Sequence, residues 1–328
     1  MSAARLSLAL AQGEVRLREA GRIAVFGPVS GMDLSALPHA LVHILSRFKP
    51  DHDHFAALGY DTSTAPEGRY AAAVVVVPRA KPLAHALIAE AVAVTDGPVI
   101  VDGLKTDGVE SLLRDLRKRV AVSTPLSKAH GKLFSFDAQE VFGDWAARPT
   151  RIAGGFVTMP GVFSADGIDP ASTLLASHLP QNMGAQVADL GGGWGYLGAE
   201  ILRRDTVEAL HLVEADHVAL ECARQNLPDA RVHLHWADVT GWHHPVLFDS
   251  VVMNPPFHTG RSANSSLGRA FVQASAKILK PAGQLWMVAN RHLPYETTLS
   301  QAFSQVEEVA GDHRFKMLRA ARPSRSRR

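Results

Sequence analysis

Cysteine is nearly missing from this chain of 328 residues: Cys222 stands alone, so no disulfide can form within the molecule. A reducing cytoplasm is the compartment that such usage suits. Long apolar runs are missing too. No stretch reaches the about eighteen residues that a transmembrane helix needs, and Leu6 to Ala11 is too short, and too soon broken by Gln12, to read as a signal peptide. Charge of one sign is scarce as well. Lys and Arg number 34 against 32 Asp and Glu, and the resulting +2 is too small to draw in a polyanion from a distance. No set of metal ligands is read from the sequence, and a monomer is expected. What the chain does have is length, enough for two domains with a core in each.

The most informative residues are Asn254-Pro255-Pro256-Phe257, which follow the apolar run Phe248 to Met253. That run predicts a buried parallel strand. The tetrapeptide then lies at a strand's carboxyl end, where open α/β sheets bind their ligands. Two prolines pin φ and remove two N–H donors, so the loop offers acceptors without competing internal bonds. The Asn254 side-chain oxygen and the Pro255 carbonyl can each accept one N–H of a planar amine. Phe257 can stack on the ring that carries it. Alone, a Pro-Pro after a strand is more often a rigid turn.

Its neighbours change the balance. From Val187 a short hydrophobic strand ends in the acid Asp189, enters a turn with Gly191, Gly192, Gly193 and Gly195, and leaves as a helix whose N–H groups face the turn. The stretch from Gly193 to Gly198 also satisfies the dinucleotide-binding pattern, so on its own it is ambiguous. The strand Ala209 to Val213 ends at Glu214, placed to accept both hydroxyls of a ribose. Another strand, Arg231 to Trp236, leads to Asp238, placed to receive an adenine amine. Each acid singly is more often a loop residue or a helix cap, but three in register are harder to dismiss.

These residues resemble the class I S-adenosylmethionine-dependent methyltransferases, in the amine-methylating branch with an (Asn/Asp)-Pro-Pro-(Tyr/Phe) motif. With Pro160 to Ser164, Asp166-Gly167, Asn254 to His258 and Ala289 to Tyr295 added, the chain is similar to the bacterial 16S ribosomal RNA guanine-N2 methyltransferases of the RsmC type. The resemblance spans about Arg151 to Arg322 and is fainter before that. It implies S-adenosylmethionine as cofactor, ribosomal RNA or the small ribosomal subunit as partner, and no membrane. It assigns Asp189, Gly191, Gly193 and Gly195 to the methionine portion, Glu214 to the ribose, Asp238 to the adenine amine, and Phe163 and Asp166 to a segment approaching the cofactor. Asn254, Pro255, Pro256 and Phe257 become the catalytic clamp on the target amine, with His258, Arg291 and Tyr295 beside the substrate. Gly192 departs from the family, which often carries Cys or another small residue there. The expectation is that this is harmless, with a side chain there facing backbone.

The implied reaction is direct displacement of the sulfonium methyl by the N2 amine of guanine. An adenine-N6 or protein glutamine-N5 methyltransferase would use the same clamp. Further alternatives are a nicotinamide-dependent dehydrogenase, resting on the glycine pattern alone, and a non-enzymatic RNA-binding protein that keeps the fold.

The N-terminal half repeats the alternation of strand and helix without the site. Arg22 to Phe26, Ala71 to Val77 and Pro98 to Val101 read as strands, and Pro82 to Ala93 and Gly108 to Lys118 as helices. Gly27-Pro28 replaces the glycine turn and Val77-Pro78-Arg79 the proline loop. The expectation is therefore an α/β protein of two tandem Rossmann-like class I methyltransferase domains. Residues 1–145 form the degenerate, non-catalytic one, in which Arg79 and Lys81 are candidates for touching RNA. Residues 146–328 form the catalytic one, with a mainly parallel seven-stranded sheet, its last strand near His313 to Ala320 running antiparallel. From His313 the chain gathers Arg314, Lys316, Arg319, Arg322, Arg325, Arg327 and Arg328, beginning within the last strand and ending in Pro-Ser-Arg repeats, a basic tail that either holds phosphates or is simply a solvated terminus.

Overall fold

The structure is a computed structural model that describes residues 3–15, 17, 20–256, 258–259, 262–263 and 265–324; of residues 3–4, 258–259, 262–263 and 265 it describes the backbone alone. The chain divides into two compact units, Met1–Pro149 with Met159–Gly161, and Thr150–Thr158 with Val162–Arg328.

In the first unit the strands are β1 (Ile23–Phe26), β2 (Val42–Leu45), β3 (Asp61–Ser63), β4 (Ala72–Val76), β5 (Pro98–Leu104), β6 (Leu126–Lys128) and β7 (Gly131–Asp137), interleaved with helices α1 (Ala3–Ala11), α2 (Lys49–Ala57), α3 (Lys81–Val94) and α4 (Val109–Leu116). They form one sheet in the order β3-β2-β1-β4-β5-β7-β6, parallel from β3 to β5 and antiparallel at β7 and β6. Its central strands are apolar throughout because both faces are covered. Phe26, Val75 and Val101 pack under Ile88 of α3 and Leu112 of α4, while Val25, Val74 and Ile100 pack under Leu6 of α1 and Phe55 of α2.

The second unit begins with a short hairpin, β8 (Thr150–Arg151) and β9 (Val157–Thr158), and continues through α5 (Pro170–His178), β10 (Gln186–Leu190), α6 (Tyr196–Leu202), β11 (Ala209–Glu214), α7 (His217–Asn226), β12 (Val232–Trp236) and β13 (Phe248–Met253). A second small hairpin, β14 (His258–Thr259) and β15 (Ser262–Ala263), precedes α8 (Ser265–Ile278), β16 (Leu279–Asn290), α9 (Glu296–Ala302), β17 (Phe303–Gly311) and β18 (Phe315–Pro323). The sheet order is β12-β11-β10-β13-β16-β18-β17. This is the order of the first unit repeated, strand for strand. The alternation along each strand builds three layers. Leu190, Met253 and Met287 face Phe271 and Val272 of α8, and Val187, Val252 and Val288 face Leu175 of α5 and Ile201 of α6.

The α/β architecture, the seven-stranded sheet and the antiparallel last strand agree with what the sequence implied. Short or exposed strands escaped it. Strand β17 is mostly exposed, with Glu307 and Glu308 in its middle, and it is a strand because β18 pairs with it. Likewise β2 and β3 carry no signal beyond four and three residues.

The basic run from His313 begins at the last strand, as expected. Lys316 is buried in β18 and paired with Glu296, and Arg319 pairs with Glu307 while its guanidinium lies 5.6 Å over the Trp286 ring. These two charges hold a sheet together and are not tail. Arg325, Arg327 and Arg328 lie outside the described residues.

Candidate functional site

In the second unit the strand order reverses between β10 and β13, which are parallel neighbours with Asp189 beside Val252 and Leu190 beside Met253. Loops leaving two strands at such a switch point diverge to opposite faces and open a crevice between them. The glycine turn leaves β10 there and Asn254-Pro255-Pro256 leaves β13. On the other flank Leu190 pairs with Val213 and Glu214 with Trp236, so Glu214 and Asp238 follow along the same carboxyl edge. The sheet thus assembles the strand-end residues singled out in the sequence.

The turn is held by its own backbone. Gly191, Gly193 and Gly195 have φ of +73°, +56° and +95°, left-handed values that a side chain disfavours. At Gly193 an added Cβ would meet nothing within 4 Å, so the surface above it is open backbone. Its N–H donates to Glu214 Oε2 at 2.8 Å, while Glu214 Oε1 accepts from the Asp216 N–H at 2.7 Å. Burial pushes the Glu214 carboxyl up from its ordinary value.

Gly192 overturns one expectation. A Cβ there would not face backbone; it would meet the Leu212 side chain, with Cδ1 at 2.8 Å, and Asp189 Oδ2 at 3.0 Å. The bulk that a larger residue would supply at position 192 comes here from Leu212.

Asp189 is fully buried and neither carboxylate oxygen has a hydrogen-bond partner among the described residues. Burial first, and the neighbouring Glu214 charge second, raise it to about 7. A buried carboxylate without partners is costly. Such a group fits a donor or cation supplied from outside the chain. Asp238 is half-buried and its Oδ1 accepts from the Thr240 N–H at 2.8 Å.

Asn254 is half-buried and its Nδ2 donates to Asp169 Oδ2 and to Ser172 Oγ, each at 2.9 Å. A carboxylate only accepts, so this pairing fixes which end of the amide is nitrogen. No described residue donates to Oδ1. Pro255 is buried and Pro256 exposed. Phe257 lies outside the described residues, as does the side chain of His258.

Phe163 is 56 % exposed, on a loop whose Phe163 carbonyl accepts from Trp194 Nε1 at 2.9 Å. The glycine turn therefore anchors that loop directly. Asn226 supports both, donating to the carbonyls of Trp194 and Val157 at 2.8 and 2.9 Å. Asp166 is exposed.

Two expected substrate residues stand elsewhere. Tyr295 is fully buried against Gly268 of α8 with its hydroxyl unpartnered, so it packs a helix and does not bound an entrance. Arg291 donates to Glu308 Oε1 at 2.9 Å and to the carbonyls of Asp312 and Phe315, which ties the end of β16 to the β17–β18 turn. Sequence reasoning missed Asp169, Ser172, Trp194 and Asn226. Asp169-Pro170 does carry the signature of a helix start, a capping acid before proline. Its bond to Asn254 has no local signal.

Among the described residues no group of three or more His, Cys, Asp or Glu could hold a metal ion, and no helix is long and apolar enough to cross a membrane.

Comparison with known proteins meets this geometry. Residues 153–319 match the model of the methyltransferase small domain. The chain is 33 % identical over 269 residues to ribosomal RNA small subunit methyltransferase C of Shewanella sp. (strain MR-4), covering 76 % of this chain and 77 % of that one. With the protein of the same name from Shewanella baltica (strain OS155) the identity is 30 % over 302 residues, 87 % and 83 % of the two chains. The fold superposes with a TM-score of 0.79 on the T. thermophilus 16S rRNA N2 G1207 methyltransferase, solved in complex with AdoMet and guanosine, over 94 % of this chain and 90 % of that one at 24 % identity. The switch-point crevice, the glycine turn with its buried acid and the Asn254 amide therefore stand in a chain that belongs to the methyltransferase small domain family, among the ribosomal RNA small subunit methyltransferase C proteins.

Proposed function

We propose that the second unit transfers a methyl group from S-adenosylmethionine to the exocyclic N2 amine of a guanine in small-subunit ribosomal RNA. The observation that carries this reading is the Asn254 amide: its nitrogen is engaged by Asp169 and Ser172, and its oxygen, one residue beyond the strand that pairs with β10, has no donor among the described residues. The names of the relatives support ribosomal RNA as the substrate class.

S-adenosylmethionine supplies the methyl group as an electrophile on a sulfonium sulfur. Asp189 and the Gly191, Gly193 and Gly195 backbone would hold its methionine portion, Glu214 the ribose and Asp238 the adenine amine, with Phe163 and Asp166 on the covering loop. The orphaned oxygens of Asp189 and the bare backbone at Gly193 fit such a guest.

Asn254 Oδ1 and the Pro255 carbonyl accept the two N–H groups of the guanine amine. This draws density onto the nitrogen lone pair, which ring delocalisation otherwise withholds. The N–C bond forms as the S–C bond breaks, and the proton leaves the cationic nitrogen for water. Orienting two bound reactants can supply roughly 7–11 kcal/mol of the barrier. No separate base is then required. Phe257 is the platform for the extruded base, a contact worth about 1–3 kcal/mol, and His258 lies next to it in sequence.

The first unit has no counterpart of this clamp, and we assign it a non-catalytic part in engaging RNA. Its cleft of about 560 Å³ lined by Lys81, Arg114, Arg117 and Lys118, with Asp115 and Ser111, supports that assignment. The reading further takes the protein as a cytoplasmic monomer, which sedimentation of the purified chain checks.

The test is to incubate the chain with methyl-labelled S-adenosylmethionine and, separately, 16S rRNA, 30S particles and a release factor, then digest and identify the labelled product. N2-methylguanosine is expected. Label in N6-methyladenosine or methylglutamine would move the function to those substrates, and no label in any arm would overturn methyl transfer to them.

A further inference from the structure

Asp169 precedes α5 and its Oδ2 accepts from the Ser172 N–H at 2.8 Å, so it caps that helix. The same oxygen takes the Asn254 Nδ2 hydrogen at 2.9 Å, and the Ser172 hydroxyl oxygen takes the other, also at 2.9 Å. Both hydrogens of the amide are thereby used, 85 and 82 residues away in the chain. The catalytic loop is thus bonded to a helix start on the far side of the glycine turn in sequence.

We propose that Asp169, seconded by Ser172, is a positioning residue that sets the orientation of the Asn254 amide for methyl transfer. The proposal rests on the clamp reading above. A side-chain amide has two orientations that fill the same space, and one of them would present NH2 to the target amine, donor against donor. Only the orientation with oxygen outward accepts. Against a neutral acceptor the two would be closer in energy. Asp169 rejects the wrong one because amide oxygen would then face carboxylate oxygen. Donation to a carboxylate also polarises the amide and makes Oδ1 a better acceptor.

Three variants separate this from a merely structural cap. Asp169→Ser keeps a capping oxygen for α5 but has no carboxylate to receive Asn254; it is expected to lower kcat at least tenfold, with KM for S-adenosylmethionine within about twofold and a nearly native Tm. Asn254→Asp sets two carboxylates against each other and is expected to lose about a hundredfold at pH 8, with partial recovery in acid, where one shared proton restores a donor. The exchange Asp169→Asn with Asn254→Asp rebuilds the hydrogen bond with its polarity reversed and leaves one oxygen of residue 254 open. It is expected to regain at least tenfold over Asn254→Asp alone.

Native kcat in Asp169→Ser, or an exchange variant no better than Asn254→Asp, overturns the proposal. The pairing has a readout that needs no substrate. The Asn254 side-chain amide protons, observed by 15N NMR, should be slow to exchange in the native protein and fast in Asp169→Ser. A native chain that methylates no RNA but shows this protection fails the functional reading and not the pairing; fast exchange in the native chain refutes the pairing itself.

Discussion

The Gly193 N–H donates to Glu214 Oε2 at 2.8 Å, which fastens the turn after β10 to the end of β11. One carboxylate therefore both shapes the glycine turn and sets a negative charge beside Asp189. The turn and the two acids behave as one electrostatic unit, and this makes several outcomes measurable.

Asp189 should make stability fall as pH rises. Its folded value, raised to about 7, lies above that of the unfolded chain, so the folded state holds the extra proton. The stability this contributes is complete below the ordinary carboxylate range and is lost as pH climbs through about 7. The shift corresponds to roughly 4 kcal/mol. Urea unfolding from pH 4 to 8 should show Asp189→Asn gaining on the native chain by up to about that amount at the alkaline end. Parallel profiles for the two proteins would remove the burial argument.

Asn254→Ala should cut turnover by about 100-fold or more, the scale seen when one oriented hydrogen-bonding group is lost from an active site. Affinity for S-adenosylmethionine, measured by calorimetry, should stay within a few-fold of native, because the residues proposed to hold it lie at the carboxyl ends of β10, β11 and β12. A variant that loses affinity and turnover together would place Asn254 in the cofactor site.

Gly192→Ala should destabilise by about 1–3 kcal/mol, since its Cβ meets Leu212 Cδ1 at 2.8 Å. Adding Leu212→Val should return part of that loss. Thermal melts of the two single variants and the pair give the coupling directly. Additive losses would mean that the two side chains do not compete for one space.

Tyr295→Phe should leave turnover unchanged and stability equal or slightly higher, because the hydroxyl removed is buried without a partner among the described residues. Activity on RNA and Tm together check it. A large fall in turnover would restore Tyr295 to the substrate site.

The chemistry of the second unit was legible from contiguous residues. An acid at a strand end, a glycine turn and a Pro-Pro loop are each short contiguous signals, and backbone sterics alone give the two loops their shape. Alternating apolar runs likewise announced the central strands of both sheets, because strands covered on both faces must be apolar throughout. Tyr295 misled for a local reason: it follows β16 at a carboxyl edge, and nothing nearby in the chain shows that it packs against Gly268.

Only the tertiary structure decided matters that depend on residues far apart in the chain. The space at Gly192 is filled from β11, the exposed β17 is a strand because β18 lies beside it, and the Asn254 amide is turned by an acid 85 residues earlier. Local sequence dictates what a segment can become, through propensity and the period of its apolar residues. Which side chain meets which across the sheet is set by packing and hydrogen-bond satisfaction, and these exist only once the layers have closed.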